Sequence, residues 1–152
     1  MANIKLVARN RRASFDYELS DRLECGIMLV GTEVKSLRAG HCSLDEAWAK
    51  VEDGEFWLVG CDIPEYDHGN RQNHKPKRDR KLLIHKRELN KIAAKAEQHG
   101  FTLVPVSVYF KDGRAKVEVA VGRGKQSHDK RQSIKEKEAD RAIRQAGRRT
   151  AR

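Results

Sequence analysis

Phe101-Thr102-Leu103-Val104-Pro105-Val106-Ser107-Val108-Tyr109-Phe110, then Lys111-Asp112-Gly113-Arg114, then Ala115-Lys116-Val117-Glu118-Val119-Ala120-Val121, is the stretch on which the fold turns. Its β-branched content is high on both sides of an Asp-Gly pair. Such a pair accepts the left-handed backbone that a tight hairpin needs. The period of two predicts that Val104, Val106, Val108 and Phe110 share one face, and that Val117, Val119 and Val121 share another. Upstream, Ala47–Val51 and Phe56–Cys61 flank Glu52-Asp53-Gly54-Glu55, a second hairpin signal.

Working outward, Phe15, Tyr17 and Leu19 alternate with polar residues and read as a half-buried strand. Leu23–Gly31 reads as a second strand, apolar enough to be covered on both faces. Glu33–Ala39 reads as a short helix with Thr32 as N-cap and Gly40 as its left-handed stop. Lys86–His99 is the clearest helix, with Leu89, Ile92, Ala93 and Ala96 on one stripe and Gly100 at its end. Lys81–Ile84 is a short strand. Six or more antiparallel strands with few short helices predict a mainly β fold: a small closed antiparallel barrel of the oligonucleotide-binding type with flanking short helices.

The chain of 152 residues is 36% charged and 38% hydrophobic, enough for one modest core. No apolar run is longer than that of Ile27-Met28-Leu29-Val30, far short of the roughly 20 residues a membrane helix needs. The first twelve residues lack the pattern of a signal peptide. Three cysteines without a CxxC pair argue against a disulfide framework and fit a reducing compartment, the cytoplasm.

The net charge of +10 points to a polyanionic partner. Gly122–Arg152 holds 11 basic and four acidic residues, a net of +7, and only Ile134 and Ile143 are large and apolar there. The chain therefore divides into a body, residues 1–121, and a basic C-terminal tail, residues 122–152. The tail is expected to be disordered alone. Lys130–Ala146 has the helix propensity to order against a polyanion.

Chemistry-bearing clusters are few. Cys61, His68 and His74 lie close in sequence, but their spacing is not that of a zinc module. Asp62, Glu65 and Asp67 crowd His68 with no nucleophile elbow or metalloprotease helix nearby, and a solvated acidic rim explains them better. No catalytic residue, metal or cofactor is predicted. Pro64–Arg80 is a long polar segment with two prolines, two histidines and seven Lys, Arg or Asn residues, read as a loop beside the body. Its run from Arg71 to Lys81 mixes cations suited to phosphates with Asn73 and His74, suited to sugars or base edges. Aromatic residues are only 6%, so heavy base stacking is not expected and shape reading is. Glu24, inside an apolar strand, is either an outward carboxylate or an acceptor for a 2′-hydroxyl or base amine.

Several strings resemble one family. Asn10-Arg11-Arg12-Ala13 with Phe15-Asp16-Tyr17, the run Gly31–Gly40, Asn73-His74, Arg80-Lys81-Leu82-Leu83, Gly100–Pro105, and Gly124-Lys125 with His128-Asp129-Lys130-Arg131 occur in the order found in small protein B, the SsrA-binding proteins of bacterial trans-translation. The resemblance implies an oligonucleotide-binding-type barrel that binds the tRNA-like domain of transfer-messenger RNA and carries it to stalled ribosomes. It implies RNA contacts by Glu24, Leu83 and Lys116. Asn10, Arg11, Lys35, Arg38, Asn73, His74, Arg78, Arg80 and Lys81 are candidates beside them. In the tail, Lys125, His128, Asp129, Lys130 and Arg131 match the part that meets the decoding centre of the small-subunit rRNA. Elongation factor Tu and alanyl-tRNA synthetase would be partners indirectly, through the RNA. Neither a membrane nor an enzymatic activity is implied.

Two other classes compete. A general single-strand RNA chaperone predicts more exposed aromatics than four Phe, two Trp and three Tyr. A hydrolase predicts a polar cluster with tuned pKa values in a cleft.

Overall fold

The computed structural model describes residues 3–66 and 73–124. In chain order the elements are β1 (Ile4–Arg9), α1 (Ala13–Asp16), β2 (Tyr17–Ile27), α2 (Gly31–Arg38), β3 (Trp48–Glu52), β4 (Glu55–Val59), β5 (Arg80–Leu83), α3 (Lys86–Ala96), β6 (Phe101–Lys111) and β7 (Arg114–Gly124). The strands form one seven-stranded antiparallel sheet in the order β1-β6-β3-β4-β5-β2-β7. An additional β6–β7 pairing joins the last strand back to the second, so six strands form a ring and β1 lies outside it along β6. The ring leaves few free backbone edges.

Both predicted hairpins are present. Asp53-Gly54 and Asp112-Gly113 have φ of +52°/+73° and +51°/+82°, the left-handed pair that an Asp-Gly turn supplies at least cost. Inside the ring, Phe56, Leu58, Leu82, Val108, Val117, Val119 and Val121 pack with Leu37, Leu44, Ile63 and Ile92 into one core. Ile92 is carried by α3, whose predicted stripe also brings Leu89 and Ala96 against that core. Gly40 follows the C-cap of α2 at φ +87°. The helix expected over Lys86–His99 ends sooner, at Ala96, and Gly100 at φ +86° sits in the turn that leads into β6.

Several expectations are corrected. The predicted single face Val104-Val106-Val108-Phe110 is broken by a register shift between Pro105 and Ser107, which leaves Val106 without a partner on β7. On the N-terminal side of this bulge Leu103, not Val104, joins the core opposite Val121; beyond it Val108 and Phe110 do. Phe15 belongs to α1, and the strand begins at Tyr17. The two strands expected over 15–31 are one, β2, interrupted by a register shift between Ser20 and Leu23, with Asp21 at φ +50°. Gly31 opens α2, so Thr32 lies within the helix. Its cap is made instead by Glu33, whose Oε1 accepts the Val30 N–H at 2.9 Å. Ile4–Arg9, for which no element was expected, is the strand β1, and β7 runs past Val121 to Gly124. The expected tail from Lys125 onward lies outside the described residues.

Candidate nucleic-acid interface

Register places the outward side chains. Leu83 of β5 pairs with Gly26 of β2, Gly26 with Lys116 of β7, Lys116 with Tyr109 of β6, and Tyr109 with Leu6 of β1. Directly paired residues in a sheet point to the same side, so this is one row across five strands. Two residues along β2, on the same side, Glu24 pairs with Glu118, which pairs with Ser107. Glu24, Leu83 and Lys116, far apart in sequence, thus share one surface. Gly26 allows the row to close up, because a Cβ there would lie 3.3 Å from Leu83 Cβ.

The two facing carboxylates would repel, and each is held by its own partners. The Tyr109 hydroxyl donates to Glu24 Oε2 at 2.5 Å, and Lys111 Nζ donates to Glu24 Oε1 at 3.3 Å. Arg22 and Ser107 donate to the two oxygens of Glu118. The Tyr109 hydrogen bond, against the opposing cost of desolvation and with help from Lys111 and Lys116, holds the Glu24 carboxyl below the usual carboxylate range. Burial first, and the Glu24 hydrogen bond second, push the Tyr109 phenol up, so it remains a donor at neutral pH. Lys116 makes no hydrogen bond or ion pair among the described residues. Leu83 and Leu6 are about half exposed, at 48% and 50%. The face offers a fixed carboxylate, a free ammonium and apolar contact.

Tyr109 and Lys111 were not singled out from the sequence. The Tyr109–Glu24 contact spans 85 positions, and only the register of β7 with both β6 and β2 reveals it.

A second cluster gathers the loop candidates, and its side chains face inward. Glu33 and Arg80 are both fully buried. Arg80 donates from Nε to Glu33 Oε2 at 2.5 Å, from Nη1 to Cys61 O at 2.7 Å and from Nη2 to Pro76 O at 3.0 Å. Arg78 Nη2 donates to Glu33 Oε1 at 2.5 Å. Burial would raise the Glu33 pKa; hydrogen bonds from Arg78 and Val30 and the charge of Arg80 outweigh it and hold the carboxyl below its ordinary value. His74 sits beside them. Its Nε2 lies 2.7 Å from Ile63 O, which can only accept, so Nε2 donates there, and its Nδ1 lies 2.8 Å from Thr32 Oγ1. Asn73 brackets the Tyr66 backbone, accepting from its N at 3.0 Å and donating to its O at 2.6 Å.

The remaining candidates are scattered. Lys35 and Arg38 lie on the exposed side of α2, over the rings of Tyr66 and Phe110 at 5.7 and 5.9 Å. Lys81 donates to Glu55 at 3.2 Å. Arg11 is exposed in the turn after β1, and Asn10 beside it is buried. Lys125, His128, Asp129, Lys130 and Arg131 lie outside the described residues, as do Asp67 and His68. Among the described residues no three His, Cys, Asp or Glu side chains converge as a metal site, and no helix is long and apolar enough to cross a membrane.

Fold and face together define a mainly antiparallel β protein that presents a mixed charged and apolar surface. Residues 7–149 match the family described as SmpB protein. The chain is 53% identical to the SsrA-binding protein of Acidothermus cellulolyticus over 93% of its own length and 89% of that relative. It is 57% identical to the SsrA-binding protein of Sphingopyxis alaskensis, over 88% of this chain and 84% of that one. A solved chain described under "tmRNA-SmpB: a journey to the center of the bacterial ribosome" superposes with a TM-score of 0.68 at 48% identity, covering 79% of this chain and 85% of that chain. The chain belongs to the SmpB family of SsrA-binding proteins.

Proposed function

We propose that this protein binds the tRNA-like domain of transfer-messenger RNA through the face of Glu24, Leu83 and Lys116, and delivers that RNA to stalled ribosomes in the cytoplasm. The observation that carries the reading is the register row that brings Leu83 and Lys116 beside Glu24. The chemistry of that row suits a folded RNA. A free ammonium meets phosphate, a held carboxylate accepts from a 2′-hydroxyl or base amine, and Leu83 packs against a sugar or base. Tyr109 and Lys111 keep both Glu24 oxygens oriented, so little ordering entropy remains to be lost on binding.

In this reading the ring of strands is an oligonucleotide-binding-type barrel. Arg80, His74 and Asn73 support the loop over 73–79 from within, while Lys35, Arg38 and Arg11 add positive field around the RNA. The segment from Lys125, with His128, Asp129, Lys130 and Arg131, engages the decoding centre, where the chain's positive charge is drawn to rRNA phosphates. Elongation factor Tu and alanyl-tRNA synthetase meet the protein through the RNA. The protein makes no bonds itself; it positions an RNA on which the ribosome acts.

The test is binding of the isolated tRNA-like domain to Lys116→Ala and Leu83→Ala, with peptide tagging on stalled ribosomes measured in parallel. Both variants are expected to bind more weakly and tag less. Undiminished affinity in both would remove the face from the reading.

A further inference from the structure

Two of the three cysteines meet in the fold although 19 positions separate them. The chain turns after α2, with His41 N donating to Ser36 O at 3.1 Å, and Cys42 follows. It leaves β4 through Gly60, at φ +74°, where a Cβ would lie 2.6 Å from Glu46 O, so a side chain there would hold the two segments apart. Ser43 and Asp62 then form an antiparallel bridge, each N–H donating to the other's carbonyl at 2.8 and 3.0 Å. Cys42 and Cys61 each precede a bridge residue, so both side chains turn to the opposite side, against the core. There the two free thiols lie 3.6 Å apart, sulfur to sulfur.

The two sulfurs are unequal. Cys61 is fully buried and Cys42 only partly, so a small oxidant reaches the pair from the Cys42 side. The contact with Cys42 first, and the charge of Arg80 against the cost of burial, hold the Cys61 thiol below its ordinary value. The same contact, with burial, pushes the Cys42 thiol up. Cys61 is therefore the base of the pair, and Cys42 is the sulfur that an oxidant meets. Cys25, on β2, is fully buried, and burial pushes its thiol up to about 12. A buried thiol of that kind is inert.

We propose that Cys42 and Cys61 form a redox modification site, which hydrogen peroxide converts to a reversible intramolecular disulfide. The Cys42 sulfur attacks one peroxide oxygen as its proton passes to the Cys61 thiolate; the O–O bond breaks and hydroxide leaves. The Cys61 sulfur then attacks the Cys42 sulfenic acid. The S–S bond forms, the S–O bond breaks, and the departing oxygen takes the Cys61 proton and leaves as water. Two electrons pass from the two sulfurs to peroxide. The sulfurs must close by about 1.5 Å to reach bonding distance. The new bond joins the exit of α2, the helix that carries Glu33, to the segment whose carbonyls at Cys61 and Ile63 hold Arg80 and His74. It thus ties both sides of the buried Glu33–Arg80 cluster. A reducing compartment suits such a pair, because disulfides there are transient and respond to oxidant. The inference does not rest on the RNA-binding reading.

The experiment treats the reduced full chain with increasing hydrogen peroxide, alkylates it under denaturing conditions and weighs it by mass spectrometry. Alkylatable thiols are expected to fall from three to one, with a non-reduced digest yielding a peptide pair joined through Cys42 and Cys61. Dithiothreitol should restore all three. Cys42→Ser should form no cross-link, and Cys25→Ala should form it as the parent does; circular dichroism confirms that both are folded. In the oxidised parent, amide hydrogen exchange at Ser43 and Asp62 should slow several-fold, because the bond restrains opening of their bridge. Three alkylatable thiols at a peroxide dose that already oxidises the exposed Met28 overturn the proposal. So do disulfides that involve Cys25 or join separate chains instead, or exchange at Ser43 and Asp62 that stays the same or quickens on oxidation.

Discussion

The Glu24–Lys116 face and the Glu33–Arg80 cluster are built from similar parts: a carboxylate, basic side chains and a ring that hydrogen-bonds. In the first, Tyr109 and Lys111 hold Glu24 at the surface and Lys116 keeps its charge free. In the second, each of the three guanidinium nitrogens of Arg80 finds a partner inside the protein. The difference is solvent. A charge held at the surface can be transferred to a ligand at small cost, whereas a buried pair has already lost its hydration and is held in place by its partner. Similar residue types therefore do opposite work, one set reading a partner and the other fixing the segment that leads into β5.

Breaking the second cluster gives the largest effect. Arg80→Ala or Glu33→Ala is expected to destabilise the fold by about 3–5 kcal/mol, the cost of stranding a buried charge; urea unfolding measures it. Arg80→Lys should recover little, because an ammonium cannot reproduce the guanidinium fork. The same cluster fixes a pH dependence. The Glu33 carboxyl is held below its ordinary 4.5 in the folded state, so its contribution is fully present above that value. It is lost as pH falls below 4.5 through the lower folded pKa. Melting temperatures measured downward from pH 6 should show this fall, and Glu33→Gln should flatten it while lowering the whole curve.

A smaller effect is expected where β7 crosses β2. A Cβ at Gly122 would lie 2.7 Å from Val104 Cγ2 and 3.1 Å from two Tyr17 atoms. Gly122→Ala should therefore cost about 1–3 kcal/mol by overpacking, read from the same unfolding curves. Tyr109→Phe removes one hydrogen bond to a partly exposed carboxylate and should cost about 1 kcal/mol or less, while loosening Glu24 and weakening RNA binding. Smallest in stability is Lys116→Ala, expected within about 0.5 kcal/mol of the parent.

The hairpins were legible because Asp53-Gly54 and Asp112-Gly113 carry their backbone requirement in their own chemistry. The α3 stripe was legible because four apolar positions repeat at helical spacing. The bulge at Val106 carried one local mark, Pro105, which cannot donate to a ladder; the pairing that resumes beyond it is decided by the partner strand, so the alternation alone did not show which residues change face. Not legible was β1, an edge strand that exposes Ile4 and Leu6 and so shows no clean alternation. Phe15, Tyr17 and Leu19 misled because three alternating residues also fit a helical turn followed by a strand. In the candidate site, resemblance supplied Glu24, Leu83 and Lys116, but nothing local marked Tyr109 as the residue that orients Glu24. The basic run 71–81 looked like one surface, and its described part divides between exposed Lys75 and Lys77 and buried His74 and Arg80. Burial of that kind depends on Glu33, more than forty positions upstream.

The most direct test of the contrast between a reading face and a holding cluster is the affinity of Lys116→Ala for the isolated tRNA-like domain, measured across a range of salt concentrations alongside its melting temperature. The expected result is weaker binding, a salt slope reduced by about 1 and an unchanged melting temperature. Unchanged affinity and slope, or a loss of affinity that appears only with a loss of stability, would contradict the assignment of this face to the RNA.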